Sequence, residues 1–181
     1  MREIVKEDKI SIRLLEDCDK KLLLKWLNDE RVLDYWEGRN AIFDLDRIEE
    51  DFYSDEACEM ERAIIEYEGK SIGYIQMYEV GKELYKEYEY VNTGKKVYAF
   101  DLFIGETDYW NKGIGSKLLQ MVKEYLKVFR LAEILIVDPH TDNLRAVHVY
   151  KKLGFKIIKE LKSHEMHEGK LVDCYLMECS L

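Results

Sequence analysis

Apolar and polar positions along this chain follow two periods, one suited to strands and one to helices. Ile10 to Leu15 reads as an opening strand, and Lys20 to Leu27 places Leu22, Leu23, Trp26 and Leu27 on one helical face. A second helix is predicted over Leu45 to Tyr53. Strands at Arg62 to Tyr67 and Ser71 to Tyr78 flank Glu68-Gly69-Lys70, a glycine-containing connection suited to a hairpin. Val97 to Ile104 is a third apolar strand.

Beyond Gly113 and Gly115 the positions Ile114, Leu118, Leu119, Val122, Tyr125, Leu126 and Phe129 share a helical face, which predicts a long amphipathic helix. Ile134 to Val137 has the character of a buried strand, closed by the only proline, Pro139. A helix from Asn143 to Leu153 follows, ended by Gly154. Strands at Lys156 to Leu161 and Leu171 to Cys179 finish the pattern. This order is a meander, then strand-helix-strand-helix, then a hairpin, and it implies a mixed α/β (α+β) sheet with helices on its faces. With no repeat, proline-rich linker or glycine/serine tract, residues 1–181 are expected to form one domain.

Composition narrows the partners. The chain has 28 Lys plus Arg against 37 Asp plus Glu, a formal charge of −9, so general nucleic-acid binding is not expected and small cations are the natural ligands. The acidity is local. Between Asp44 and Glu61 stand nine acids and one base, Arg47, a balance of −8. A second acidic stretch, Glu79, Glu83, Glu87 and Glu89, is interleaved with Tyr78, Tyr85, Tyr88 and Tyr90. Carboxylates with aromatic rings suit a polycationic sugar, and a solvated helix face or flexible loop is the plainer alternative for both runs. The charged start and the lack of a membrane-length apolar run lead us to expect no secretory leader, no membrane partner and a cytoplasmic protein. Cys18, Cys58, Cys174 and Cys179 lack CxxC spacing, so reduced and mostly packing thiols are expected.

The segment Trp110-Asn111-Lys112-Gly113-Ile114-Gly115-Ser116 joins a strand to the long helix. Leading helix amides, the helix dipole and Lys112 could hold a diphosphate there, and a plain turn is the alternative. No Walker A pattern is present. Further along come Val137-Asp138-Pro139-His140, Asn143-Leu144-Arg145-Ala146 and Tyr150-Lys151-Lys152-Leu153-Gly154-Phe155. In this order and spacing the glycine loop and N-x-R-A-x-x-x-Y-x-K-x-G-F resemble the acetyl-CoA-binding half of the GNAT acetyltransferase superfamily. Lys25 to Leu33, Ile72 to Tyr78, Asp101 to Gly105 and Asp138-Pro139-His140 are similar to bacterial aminoglycoside 6′-N-acetyltransferases, especially the acetyltransferase half of the bifunctional aminoglycoside-modifying enzyme. A kinase half is not expected in 181 residues.

The resemblance implies a splayed central sheet and acetyl-CoA as cosubstrate. Lys112, Gly113, Ile114, Gly115 and Ser116 would cradle the diphosphate, while Leu102, Phe103 and Ile104 would line the pantetheine arm. Asn143, Ala146 and Tyr150 would face its thiol end. One departure is Trp110, which stands where the superfamily often has Gln or Arg. Tyr35, Trp36, Gln76, Asp101 and Asp138 would contact a cationic aminoglycoside, with Glu37 and Glu79 as secondary acids. Trp26 is expected in the core.

Acetyl transfer to an amine needs a neutral nucleophile, a polarised thioester carbonyl and a proton for the leaving thiolate. Asp101 would accept the ammonium proton, directly or through water; strand alternation places it with Ala99 and Phe103, opposite Phe100 and Leu102. Tyr150 would protonate the thiolate. A salt-bridged strand acid and an ordinary core aromatic are the plainer alternatives for the two residues. His164 and His167 raise the question of a metal, but there is no HExxH pattern and their segment reads as a hairpin loop, so no metal is expected. The sequence leaves monomer and homodimer open. A GNAT enzyme for protein amino termini and a non-catalytic acyl-CoA-binding domain are the rival functions.

Overall fold

The computed structural model describes residues 2–54, 60–90 and 94–181. The described residues hold eight strands and six α-helices, in the chain order β1 (Glu3–Glu7), β2 (Ile10–Leu14), α1 (Lys20–Trp26), α2 (Glu30–Leu33), α3 (Leu45–Tyr53), β3 (Met60–Tyr67), β4 (Lys70–Glu79), α4 (Lys82–Glu87), β5 (Val97–Ile104), α5 (Ile114–Phe129), β6 (Ile134–Val137), α6 (Leu144–Lys152), β7 (Lys156–His167) and β8 (Lys170–Ser180). The sheet order is β1-β2-β3-β4-β5-β6-β8-β7. The mixed α/β class expected from the pattern is the observed one.

Local rules account for most of these elements. Asp44 begins α3 by accepting the Arg47 amide at 2.8 Å, and Ile48 and Phe52 are its buried face. The two-residue turns Glu68-Gly69 and Glu168-Gly169 carry positive φ at both positions, the backbone of tight antiparallel hairpins. β6 is buried throughout, as a central parallel strand requires. It pairs in parallel with β5 at Val97, Tyr98 and Ala99, and its other edge pairs antiparallel with β8.

The chain forms two compact units, Met1–Met77 with Asp101–Gly115, and Tyr78–Phe100 with Ser116–Leu181. In the first, Leu23, Trp26, Leu27, Ile48, Phe52, Ile64, Tyr74 and Phe103 form an apolar cluster. Trp26 is fully buried, as expected. Two close approaches require glycine: a Cβ on Gly73 would stand 2.3 Å from the Phe103 carbonyl oxygen, and one on Gly105 2.1 Å from the Trp26 ring. Arg13 is also buried there; Asp19 accepts two guanidinium hydrogen bonds at 2.7 Å and Glu66 a third at 2.9 Å, which offsets the cost of burying the charge. In the second unit Val80, Tyr88, Val97, Ala99, Ile134, Ile136, Leu161, Cys174 and Leu176 form the cluster.

Several expectations need correction. Glu3–Glu7 is a strand paired antiparallel with β2, although its mostly exposed residues show no apolar face. The four-residue α2 and six-residue α4 are too short to announce themselves by period. Phe129 is 66% exposed rather than on the buried face, stacking on Tyr125 at 5.6 Å as α5 ends. β7 continues to His167, so His164 and His167 lie on a strand rather than in a loop. The interleaved tyrosines pack against the second apolar cluster: Tyr88 is 4% exposed and Tyr78, Tyr85 and Tyr90 are partly buried there. Of the first acidic run, Asp55, Glu56 and Glu59 lie outside the described residues, as does Cys58. No helix among the described residues is long and apolar enough to cross a membrane.

Candidate active site

The first unit brings Gln76 and Asp101 together. Both are half-buried, on β4 and β5, and Gln76 Nε2 donates to Asp101 Oδ2 at 2.7 Å. The Tyr74 hydroxyl donates to Gln76 Oε1 at 3.0 Å. Burial pushes the Tyr74 phenol far above its ordinary pKa, so it stays a donor. With Oε1 taken by a hydroxyl, the amide must present its NH2 to the acid, and Asp101 is met as a hydrogen-bond acceptor. Trp36 meets Phe103 edge-on at 5.0 Å and Tyr74 at 6.3 Å, so much of its ring packs on the apolar cluster. Tyr35 is 47% exposed beside it in the chain.

Acids near this unit's surface are partly engaged already. Arg47 bridges Glu37 at 3.2 Å and Asp51 at 3.1 Å, and Lys20 bridges Glu49 at 2.5 Å. A surface hollow of about 570 Å³ is lined by Leu24, Asn28, Phe43, Asp44, Leu45 and Asp46, and includes neither Gln76 nor Asp101.

The glycine loop leaves β5 through a 3-10 turn at Thr107–Tyr109. Trp110 Nε1 donates to the Ile104 carbonyl at 2.7 Å and its ring packs on the first apolar cluster. Trp110 therefore anchors the loop to the strand it has just left. Asn111 and Gly113 have φ of 58° and 76°, which turns the chain into α5. The leading amides of a helix lack intrahelical acceptors. Among the described residues, no backbone carbonyl outside the helices and strands accepts from residues 112–116. A Cβ on Gly113 or Gly115 would meet nothing within 4 Å. Lys112 lies over the Tyr109 ring at 5.5 Å.

In the second unit Asp138 follows β6, and its Oδ2 accepts from the Tyr88 hydroxyl at 2.9 Å and lies 3.4 Å from His164 Nε2. The Asp138 hydrogen bond raises the His164 pKa above its ordinary value against the lowering effect of burial. Glu87 is 3.7 Å away on the same imidazole. Tyr88 and His164 were not singled out as partners of Asp138; a buried aromatic within an acidic run was the available signal. Asn143 caps α6, its side chain accepting from the Ala146 amide at 3.1 Å, so this pair serves the helix start. Tyr150, 9% exposed on α6, meets Phe100 edge-on at 5.9 Å and Phe155 at 5.5 Å. Leu102 and Ile104 are half-buried on β5, flanking the buried Phe103.

Residues 16–163 match the acetyltransferase (GNAT) domain family. The chain belongs to this family. This GNAT chain is 28% identical to aminoglycoside N(6′)-acetyltransferase type 1 of Klebsiella pneumoniae over 82% of its length and 75% of that protein. It is also 26% identical to spermidine N(1)-acetyltransferase of Escherichia coli K12, covering 88% of this chain and 77% of that one. An N-alpha-acetyltransferase of Sulfurisphaera tokodaii is 32% identical, covering 72% of this GNAT chain and 76% of the relative. Among solved structures, AAC(6′)-Ib in complex with ribostamycin and coenzyme A superimposes with a TM-score of 0.78, at 24% identity, over 96% of this chain and 94% of that one. That likeness shows the GNAT fold.

Proposed function

We propose that this GNAT acetyltransferase moves the acetyl group of acetyl-CoA to the 6′-amine of an aminoglycoside. The carrying observation is the Asp101 carboxylate, half-buried on an otherwise apolar strand and held by Gln76. An acid in that setting suits gripping an ammonium and removing its proton, directly or through water. The identity to an aminoglycoside N(6′)-acetyltransferase over most of the chain supports that choice of acceptor.

The loop residues suit the cosubstrate. Gly115 meets no neighbour that would demand glycine, and open space over the α5 N-terminus suits phosphates approaching Lys112, Gly113, Ile114, Gly115 and Ser116. The registered pairing of β5 with β6 covers Val97 to Ala99, and the backbone of Leu102, Phe103 and Ile104 beyond it suits the pantetheine arm. Asn143, Ala146 and Tyr150 are assigned to the thiol end by their places in the family motif.

Chemically, the acceptor ammonium loses a proton toward Asp101 and the neutral amine attacks the thioester carbonyl. A strand amide at Leu102 or Phe103 stabilises the oxyanion, and the Tyr150 phenol protonates the departing thiolate. Tyr35, Trp36, Gln76 and Asp138 are the proposed acceptor contacts. Transfer is direct, without a cysteine intermediate or a metal in the reaction. Acetylation removes one positive charge from the antibiotic, which weakens its hold on RNA phosphates and would confer resistance.

The test follows thiol release from acetyl-CoA with kanamycin, a kanamycin analogue lacking the 6′-amine, spermidine and an amino-terminal peptide. Turnover with kanamycin and none with the analogue is expected. Turnover confined to spermidine or the peptide would overturn the acceptor, and no turnover with any amine would mark a binding domain.

A further inference from the structure

We propose that His140, Glu165 and Cys174 form a transition-metal site suited to Zn²⁺. The three residues come from the segment after β6, from β7 and from β8, and their ligand atoms all lie within 4.8 Å of one another. His140 Nε2 is 2.9 Å from Glu165 Oε2, and Cys174 Sγ is 3.9 Å from the same oxygen. Tetrahedral zinc with bonds of about 2.0–2.3 Å sets neighbouring ligand atoms roughly 3.3–3.7 Å apart, so small side-chain shifts suffice. Imidazole, thiolate and carboxylate together select zinc or a related late metal over calcium or magnesium, which prefer oxygen.

The backbone already holds the ligands in place. His140 and Cys174 form an antiparallel bridge, flanked by hydrogen bonds from the Thr141 amide to the Asp173 carbonyl and from the Tyr175 amide to the Pro139 carbonyl, both 2.9 Å. Cys174 is fully buried, and free.

A second observation comes from His167. Its ring lies edge-on to His140 with centroids 4.7 Å apart, and its Nδ1 is buried without a hydrogen-bond partner. An ion pair between His140 and Glu165 accounts for those two side chains alone. A metal would take up the thiol beside them as well and leave the fourth position to a water.

On binding, Zn²⁺ replaces the Cys174 thiol proton, which leaves to solvent, and the metal bonds to sulfur, imidazole nitrogen and carboxylate oxygen. Occupancy would staple the β7–β8 hairpin to the stretch between Asp138 and Asn143.

Titration of the chelator-treated full chain with Co²⁺ tests the site. The expected result is a thiolate-to-cobalt charge-transfer band that saturates at one equivalent and is displaced by Zn²⁺. Cys174→Ser, with its fold checked by circular dichroism, should lose the band. His140→Gln provides the second variant and should keep the band while weakening Co²⁺ binding at least about tenfold. Absence of the band in the unaltered chain, its persistence in Cys174→Ser, or unchanged affinity in His140→Gln would each overturn the assignment.

Discussion

Gln76 and Asp101, 25 residues apart in sequence, meet in a 2.7 Å hydrogen bond whose polarity is set by the Tyr74 hydroxyl on the other end of the amide. Replacing the amide by an acid reverses that polarity. In Gln76→Glu a like charge faces Asp101, which raises the apparent pKa of the pair. The acid limb of the kcat/KM profile should move to higher pH, with coenzyme affinity unchanged. An unmoved limb would separate Gln76 from the proton acceptor.

Asp101→Asn preserves the volume and removes the basic oxygen. Turnover should fall by about 100-fold or more, the range for a positioned acid or base, while coenzyme binding measured by calorimetry stays the same. Equal losses in both would mean that Asp101 holds the strand rather than the proton.

Tyr150→Phe keeps the edge contacts with Phe100 and Phe155 and removes the hydroxyl. The thermal midpoint should be nearly unchanged and kcat should drop roughly 100-fold if the phenol supplies the thiolate's proton. An unchanged kcat would return Tyr150 to the role of a core aromatic.

Gly73→Ala and Gly105→Ala probe the closest packing in the first unit. The new methyl would stand 2.3 Å from a carbonyl oxygen in one and 2.1 Å from the Trp26 indole in the other. Overpacking of this kind costs about 1–3 kcal/mol, to be read from the urea midpoint at constant m. The Gly105 variant should also perturb Trp26 fluorescence.

Glu106 provides a pH test. Hydrogen bonds from Lys25 and then Trp26 hold its carboxyl below the usual range, and the Trp26 bond is 3.0 Å. A depressed folded pKa means that this stabilisation is present above the unfolded value of 4.5 and is lost as pH falls through the lower folded value. Glu106→Gln should therefore be less stable than the unaltered chain at pH 7, by roughly 1 kcal/mol, since the lysine is largely exposed. The difference should begin to shrink as pH falls below 4.5 and close only below the lower folded value. A constant difference down to pH 3 would place the effect in shape rather than charge.

Periodicity made α3, β5 and β6 legible with their ends, because an amphipathic face or a buried run is written in neighbouring residues. The glycine loop and the α6 motif were legible for the same reason, and their spacing pointed to the GNAT family. Glu3–Glu7 was not, since an exposed edge strand owes its form to its partner rather than to an apolar face. The packing of the tyrosines from Tyr78 to Tyr90 on the second apolar cluster was not legible either, because a short helix packed on a distant cluster leaves no period to detect.

Fold class, the longer elements and the motifs that carry the family resemblance thus rest on local pattern and spacing. Pairings between distant side chains do not. Asp101 acquires its partner only when β4 and β5 come into place, Asp138 acquires Tyr88 and His164 only in the second unit, and nothing in the spacing joins His140 to Cys174. Hydrogen bonds and metal geometry act over about 2–4 Å between groups that the chain brings together only by folding. Local periodicity can put a residue on a face, but tertiary packing chooses what it meets there.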